Sequence, residues 1–436
     1  MPRFRRNFWL LLAQNLAVFL GIAVQALILN LYLVALGYRE DFVGLVAFVQ
    51  TAAIGVGAMP ASWLAPRVGA RRVLIGATVT LGASFALMAS LEVPALLLVA
   101  SAVSGVAMAH VFVPSAPYLA DNTGPEERRT AFSANFAALS LASVAGSAMG
   151  GLVPGLVGGN ALLGYRYALL GGSLFSALGA LPLLLADDTR VETASPGRGD
   201  APRPSIRPHS FASLRTGSGP LPEGEGTLSE GHAPVGPALN PQPSTLNPTK
   251  RRSLRKDMLA MAAATALLAG ATGLVVAFFN VFLRDVIAAP TAEIGSVFAA
   301  ASIAMAPGSL LGPALARRWG AVPMIVLPRL LSAPLILSLA LLPSTLLLSG
   351  SVYALRSMLV SISQPLDNAF AMELVSPRDR ARVAALRTMS WNGGWAVATG
   401  LGGLAIVSVG YPLIFATATL LTLCSVAVHW GNFRGR

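Results

Sequence analysis

Ionisable side chains stand inside long apolar runs of this sequence, and the notable charged ones are Arg329, Arg356 and Asp367. Charged groups in apolar surroundings are costly to bury, and by default they mark functional sites. A guanidinium has a fixed charge and several N–H donors, which suits a carboxylate, sulfonate or phosphate group. Asp367 and His110 are the candidates for reversible protonation. Arg329 lies early in its run, so we expect its charged end to extend to the nearer polar boundary.

The composition is that of a membrane protein. Of the 436 residues, 54% are hydrophobic and 11% are charged, whereas soluble proteins carry about 25% charged residues. Apolar runs long enough to cross a bilayer recur along the whole chain. The net charge is +12. In a membrane protein this charge is interpreted by where the basic residues fall between the apolar runs. The lipid bilayer, and not nucleic acid, is therefore the predicted partner.

Motifs for catalysis or metal binding are absent from the sequence. It contains no H-E-x-x-H zinc pair, no G-x-x-x-x-G-K-[ST] phosphate loop and no G-x-S-x-G nucleophile turn. The single cysteine, Cys424, excludes an intrachain disulfide and a cysteine-rich metal site. We therefore predict neither an enzyme nor a bound cofactor or metal.

The apolar runs predict an all-α integral membrane protein with twelve transmembrane helices. The first six spans are predicted at 8–36, 42–65, 72–91, 94–119, 131–157 and 162–186. The other six are predicted at 257–284, 291–316, 322–343, 346–371, 383–408 and 411–430. Residues 1–186 and 257–436 thus form two six-helix halves. Residues 187–256 are rich in Pro, Gly and Ser, which predicts a disordered cytoplasmic linker.

The short loops predict the orientation in the membrane. With the N-terminus in the cytoplasm, ten arginines fall on the cytoplasmic side and three on the other, which satisfies the positive-inside rule. We therefore expect both termini in the cytoplasm and a multi-pass protein of the plasma membrane. The cytoplasmic arginines are Arg67, Arg71, Arg72, Arg128, Arg129, Arg317, Arg318, Arg378, Arg380 and Arg382, against Arg39, Arg166 and Arg284.

The two halves repeat each other in sequence. ASWLAPRVG at 61–69 matches GPALARRWG at 312–320, and LNLYL with Asn30 matches FNVFL with Asn280. Gly150 and Gly151 likewise match Gly402 and Gly403. These matches keep their order at offsets of 250 to 252. We infer a duplication of one half, which predicts two pseudo-symmetric six-helix bundles.

The repeated turn resembles a motif of the major facilitator superfamily, and the resemblance covers the chain apart from 187–256. That family motif is similar to G-x-L-A-D-R-x-G-R-R. The first copy keeps its Leu64, Ala65, Arg67, Gly69, Arg71 and Arg72, and the second keeps Gly312, Leu315, Ala316, Arg318 and Gly320. Pro66 and Arg317 replace the usual Asp. The resemblance implies that fold and a transporter of small molecules that works by alternating access.

The resemblance also implies that spans 1, 4, 7 and 10 line a central cavity. The polar residues of these spans, with two from span 11, are candidates for substrate binding: Gln25, His110, Asn280, Arg356, Trp391 and Asn392. Hydrogen bonds between helices, or packing of the indoles, are the alternatives. A cavity with Arg356 as its anchor suits an anionic or amphiphilic organic solute. His110 and Asp367 are the candidates for binding a coupling proton.

The repeated turn predicts inner gates as well. We expect Arg67 or Arg71 to pair with Asp121, and Arg317 or Arg318 to pair with Glu373, when the protein faces outward. Alternatively, these arginines only set the topology. GSAMGGLVPG at 146–155 partly resembles the antiporter motif of the family and favours export. The predicted function is a monomeric secondary transporter; a non-transporting sensor or an uptake facilitator is the alternative.

Overall fold

The computed structural model describes residues 6–123, 128–157, 160–186, 248–342, 345–375 and 380–434. These residues form helices and no strand, and the described parts of both halves belong to one compact unit. The first half contains α1 (Arg6–Ala35), α2 (Glu40–Val68), α3 (Ala70–Ser90), α4 (Pro94–Asp121), α5 (Arg128–Leu156), α6 (Ala161–Leu178) and α7 (Ala180–Leu184). The second contains α8 (Pro248–Val276), α9 (Phe279–Asp285), α10 (Thr291–Trp319), α11 (Ala321–Leu341), α12 (Leu346–Glu373), α13 (Arg380–Val409) and α14 (Tyr411–Phe433).

Twelve spans long and apolar enough to cross a membrane are found among these helices. Two spans are interrupted, so that α6 with α7 and α8 with α9 each form one crossing. The predicted number and order of spans are therefore confirmed. The two halves have the same helix order, as the duplication predicts.

The helix of the seventh span begins before the membrane span itself. α8 begins at Pro248, so the segment KRRSLRK at 250–256 is helical, whereas the apolar span begins at Arg255, close to the predicted residue 257. Hydropathy marks where a chain enters the membrane, whereas Lys, Arg and Leu propagate a helix beyond that point. The remaining predicted linker, residues 187–247, lies outside the described residues.

The repeated turn has the same geometry in both halves. Gly69 joins α2 to α3 with φ +100°, and Gly320 joins α10 to α11 with φ +88°. Each glycine amide donates to the carbonyl of an alanine, Ala65 or Ala316, in the last turn of the preceding helix. Glycine adopts this left-handed backbone without steric cost. The glycine is therefore the residue in the motif that the turn requires.

Candidate functional site

The two bundles contact each other near one end of the molecule. Five hydrogen bonds between described residues join them in the half where α2 and α10 begin. We call this the glycine end, because Gly44, Gly151, Gly295 and Gly403 form its helix contacts. We call the opposite end the basic end. It contains the α2–α3 and α10–α11 turns and the arginines Arg67, Arg71, Arg72, Arg317 and Arg318.

Two crossings of glycine on glycine close the glycine end. In the first, Gly44 of α2 faces Gly403 of α13, and a Cβ built on Gly44 would lie 3.0 Å from the Gly403 Cα. In the second, Gly151 of α5 faces Gly295 of α10, and a Cβ built on Gly151 would lie 2.9 Å from the Gly295 Cα. The repeat relates the two crossings, because Gly44 corresponds to Gly295 and Gly151 corresponds to Gly403. Helix backbones approach this closely only where a side chain is absent.

The two repeated asparagines add a reciprocal pair of hydrogen bonds at this end. Asn280 Nδ2 donates to the Leu27 carbonyl at 2.6 Å, and Asn30 Nδ2 donates to the Ala277 carbonyl. The carbonyl of Ala277 is accessible because the seventh span is interrupted there. In a continuous helix it would accept from Val281, but the Val281 amide donates to Asn280 Oδ1 instead. Asn280 thus opens the helix and joins the bundles.

A polar pocket of about 270 Å³ lies in the second bundle, in the half towards the basic end. Amides, hydroxyls, an indole and three charged groups surround it, from α8, α11, α12 and α13. Asn392 also contacts the first bundle, because a Cβ built on Gly55 of α2 would lie 3.7 Å from its Cβ. The pocket therefore lies beside the junction of the bundles. Its lining residues are Thr265, Leu268, Arg329, Gln364, Asp367, Asn368, Arg387, Thr388, Trp391 and Asn392.

One carboxylate in this pocket is shared by two arginines. Asp367 Oδ2 accepts from Arg329 Nη2 and from Arg387 Nη2, both at 2.9 Å. Arg329 is 1% exposed and Asp367 is 5% exposed. Arg387 also donates to Asn368 Oδ1 at 3.0 Å, and Arg329 Nε donates to Ser363 Oγ at 3.4 Å. Two positive groups against one negative group leave the cluster with a net positive charge.

Several polar atoms of the cluster have no hydrogen-bond partner within the described part of the chain. They are Arg329 Nη1, Arg387 Nη1 and Asp367 Oδ1. Buried polar groups are nearly always paired in folded proteins, because an unmade bond costs about 1–3 kcal/mol. Two guanidinium nitrogens without an acceptor, on side chains that line a cavity, are typical of a site that binds an anionic group. The cluster therefore holds buried donors beside the pocket that the described residues leave unsatisfied.

The predicted cavity residues fall in different places. Trp391 and Asn392 line the pocket. Asn280 lies instead at the closed glycine end, and Gln25 is buried with its amide donating to the Met88 sulfur. Arg356 is 3% exposed inside the second bundle, where Nη2 donates to Thr272 Oγ1 at 3.2 Å, and it does not line the pocket.

The two candidates for proton binding also separate. Asp367 lies in the cluster, whereas His110 lies in a groove between α2, α3 and α4 of the first bundle. The Nδ1–H group of His110 donates to the Val106 carbonyl at 2.8 Å. Arg329 corrects a further expectation: it is buried and does not extend to the membrane surface. Its pairing with Asp367 replaces the solvation that the surface would have provided.

The predicted inner-gate residues lie at the basic end, away from the contacts between the bundles. The Arg67 guanidinium lies 3.5 Å from the centroid of the Trp63 ring. Arg71 donates to the carbonyls of Leu183 and Leu184, where it satisfies the last turn of α7. Asp121, Glu373, Arg317 and Arg318 are exposed. Because the predicted pairs belong to the state closed at this end, they stay a prediction.

The predicted site residues do not include Gln364, Asn368 and Arg387 of the pocket. They also do not include His429 of α14, whose Nδ1 lies 3.9 Å from Asp367 Oδ1. The signal for Arg387 was helical spacing: positions 387, 388, 391 and 392 are polar or aromatic and share one face of a helix. Gln364, Asp367 and Asn368 show the same spacing on α12. Arg387 was overlooked because it follows Arg380 and Arg382, whose positions fit a basic loop.

Twelve apolar helices in two related bundles, joined at one end and with a polar pocket in the second, define a multi-pass membrane protein. The chain belongs to the Major Facilitator Superfamily, whose family model matches residues 11–399. Members of this family are transporters and not enzymes. None of the curated proteins compared matches the sequence.

Solved structures share the fold at low sequence identity. The nucleoside transporter NupG superposes with a TM-score of 0.70 at 13% identity, over 99% of this chain and 99% of that one. A bacterial homologue of the human lysosomal transporter Spinster, in an inward-facing and unoccupied conformation, gives a TM-score of 0.72 at 14% identity. That match covers 100% of this chain and 98% of the homologue. Identities this low establish the fold alone.

Proposed function

We propose that this protein is a secondary transporter that moves a small organic solute with an anionic group by alternating access. The observation that carries the proposal is the pocket in which Arg329 and Arg387 share the single carboxylate of Asp367. A site with surplus positive charge and unpaired N–H groups favours an anion over a neutral or cationic solute. Arg329 and Arg387 take the role of anchor that the sequence assigned to Arg356.

The remaining lining of the pocket suits the uncharged part of such a solute. Trp391 presents an indole, with Trp395 at a centroid distance of 6.1 Å, and this wall suits a flat or apolar group. Asn392, Gln364 and Thr388 offer neutral donors and acceptors. The volume of about 270 Å³ suits a molecule the size of a substituted aromatic ring. The solute class is therefore an anionic amphiphile of small size.

The glycines that favoured export are used for packing. A Cβ on Gly146 would lie 2.7 Å from the Ala23 Cβ of α1, and Gly151 takes part in a crossing at the glycine end. Export therefore stays a prediction from sequence, to which the packing adds no support.

Ligand-dependent thermal stability tests the anion site. We expect benzenesulfonate to raise the melting temperature of the detergent-purified protein with increasing concentration, because binding stabilises the folded state. Benzenesulfonamide and benzyltrimethylammonium, the neutral and cationic counterparts, should not. Arg387→Gln should weaken benzenesulfonate binding by roughly 10- to 150-fold, which corresponds to about 1.5–3 kcal/mol for a hydrogen bond to a charged group. Arg434→Gln, an exposed arginine at the end of α14, is the matched control.

The same ligand tests transport. Radiolabelled benzenesulfonate should enter proteoliposomes that contain the wild type and the Arg434→Gln variant, and not those with Arg387→Gln. Stabilisation by the cation in wild type and Arg387→Gln alike would overturn the anion site. Specific binding with no entry into proteoliposomes would instead favour a sensor built on the same scaffold.

We also propose that the basic end faces the cytoplasm of a plasma-membrane protein that acts as a monomer. Arg67, Arg71, Arg317 and Arg318 share this end, and positive charge accumulates on the cytoplasmic side. A Val68→Cys variant in a Cys424→Ser background should react with a membrane-impermeant maleimide in inside-out vesicles. Equal reaction in intact cells would contradict this orientation.

A further inference from the structure

A groove on the outside of the first bundle has no part in the proposed transport site. It lies between α2, α3 and α4, has a volume of about 530 Å³ and is lined mostly by small apolar side chains. The groove follows α3 from Arg72 to Thr80 and α4 from His110 back to Ala102. Each of these stretches is about 12 Å long at 1.5 Å per residue. We call this feature the lateral groove.

Small residues create the space in the lateral groove. Gly76 of α3 is exposed, and a Cβ built on it would meet nothing within 4 Å. Ala77 and Ala107 line the groove beside it, on α3 and α4. Both helices are membrane spans, so an open apolar groove between them is in contact with lipid hydrocarbon. An apolar chain is therefore the chemistry that fills this space.

The groove has a positive charge at the basic end. Arg72 lines it from the first turn of α3 and is exposed. The neighbouring Arg67 and Arg71 contact other groups, an indole ring of α2 and two carbonyls of α7. No acidic residue occurs in the sequence from Ala61 to Ser90. Basic groups at a membrane boundary attract anionic lipid headgroups. The charge at this end is thus complementary to such a headgroup.

The internal repeat shows that the charge and the open space occur together. The glycine turns align the two halves at an offset of 251 residues. At this offset the arginine, glycine and threonine of the groove are replaced by a proline and two exposed leucines. The matched pairs are Arg72 with Pro323, Gly76 with Leu327 and Thr80 with Leu331. The first half has both features and the second half has neither at these positions, which indicates one ligand that uses both.

We propose that the lateral groove binds an acidic glycerophospholipid from the membrane leaflet at the basic end. The phosphate accepts hydrogen bonds from the Arg72 guanidinium, whose fork of N–H groups matches two phosphate oxygens. One acyl chain lies along the groove past Gly76. An acidic headgroup is favoured over phosphatidylcholine, because the arginines at this end repel the choline cation. The inference goes beyond the proposed function, since it adds a second ligand at a site away from the transport pocket.

Native mass spectrometry of the detergent-purified protein tests the headgroup contact. We expect dioleoyl-phosphatidylglycerol to bind to the wild type more tightly than dioleoyl-phosphatidylcholine, which has the same chains. Arg72→Gln should reduce this preference by roughly fivefold, the factor for about 1 kcal/mol from one basic group at an anionic surface. Arg434→Gln, at an exposed arginine at the end of α14, is the matched control and should keep the wild-type preference.

Gly76→Leu tests the groove itself, because it gives the first half the leucine of the second. The variant should fold, since leucine forms helices better than glycine and its Cβ meets nothing within 4 Å. We expect the affinity for phosphatidylglycerol to fall by roughly tenfold, because the leucine occupies the space of the acyl chain. Gly171→Leu, at another helical glycine whose Cβ meets nothing, is the matched control. Binding of benzenesulfonate should be the same in Gly76→Leu as in the wild type.

The outcomes separate this site from the transport pocket. Equal affinity of the wild type for the two lipids would overturn the acidic headgroup. Unchanged binding of phosphatidylglycerol in both Arg72→Gln and Gly76→Leu would overturn the lateral groove as the site, and would leave the pocket of Arg329 and Arg387 untouched. sn-Glycerol 1-phosphate, a headgroup without chains, should not displace the lipid. Its binding to Arg72 as tightly as the lipid would show a site for a free phosphate and overturn the lipid.

Discussion

At the scale of single residues, the charges of the second bundle fall into two different situations. Asp367 is buried but accepts from two arginines, whereas Arg356 is buried with one hydrogen bond to Thr272 and an unpaired Nε. A buried charge with a good partner is destabilised strongly when that partner is removed, while a poorly paired charge is replaced at little cost. Substitution of Asp367 should therefore lower the stability of the protein strongly, whereas substitution of Arg356 should change it little.

Asp367→Ala should lower the stability of the protein far more than Arg356→Met. The alanine variant leaves two buried guanidinium groups without a counter-charge, which costs about 3–5 kcal/mol. The methionine variant keeps most of the side-chain volume and removes a poorly paired charge, so we expect a change of about 1 kcal/mol or less. Thermal unfolding in detergent, followed by tryptophan fluorescence, measures both. Equal losses in the two variants would show that the ion pairs around Asp367 contribute no more than Arg356 does.

At the scale of helices, hydropathy predicts every crossing but not the interruptions within them. An apolar run shows where twenty residues cross a bilayer, and this accounts for the twelve spans. It carries no information on the break at Ala277 and Phe278, because that break depends on Asn280 competing for the Val281 amide. Pairing of Asn30 with Asn280 was visible only as a repeat in sequence. Their contact across the bundles depends on tertiary packing.

The pocket, like the helices, could be predicted from the sequence only in part. Trp391 and Asn392 were identified as polar and aromatic residues of the eleventh span, added to those of the four spans that the family resemblance placed at the cavity. Arg329 was assigned to the membrane surface because a single sequence does not show that Asp367 lies within 2.9 Å of it. His429 was missed because an isolated histidine in an apolar helix has no periodic partner. Distances between helices, and not residue types, define this site.

At the scale of the whole molecule, the two halves are equivalent at the glycine end and different at the pocket. The glycine crossings and the asparagine pair follow the repeat closely. The position 251 residues before Arg329 is Thr78, which accepts a hydrogen bond from the buried Gln14 at 3.2 Å. The first bundle thus has a neutral pair where the second has a charged cluster. The repeat therefore accounts for the symmetric contacts at the glycine end, whereas the charged cluster is particular to the second half.

The symmetric gate leads to a prediction about motion of the whole molecule. If the bundles rock as rigid bodies, a block at the glycine end must close the basic end. Gly44→Val places a side chain against Gly403 and Thr399, and strain of about 1–3 kcal/mol should reduce the state closed at the glycine end by roughly tenfold. Spin labels at Leu91→Cys and Leu342→Cys, at the glycine end, should then move apart. Labels at Val68→Cys and Trp319→Cys, at the basic end, should approach each other. Both pairs are made in a Cys424→Ser background.

Gly171→Val is the matched control, because a Cβ at this helical glycine meets nothing within 4 Å. Separation at the glycine end with an unchanged distance at the basic end would show that the bundles bend instead of rocking, and the inner-gate pairs predicted for Asp121 and Glu373 would then have no state in which to form.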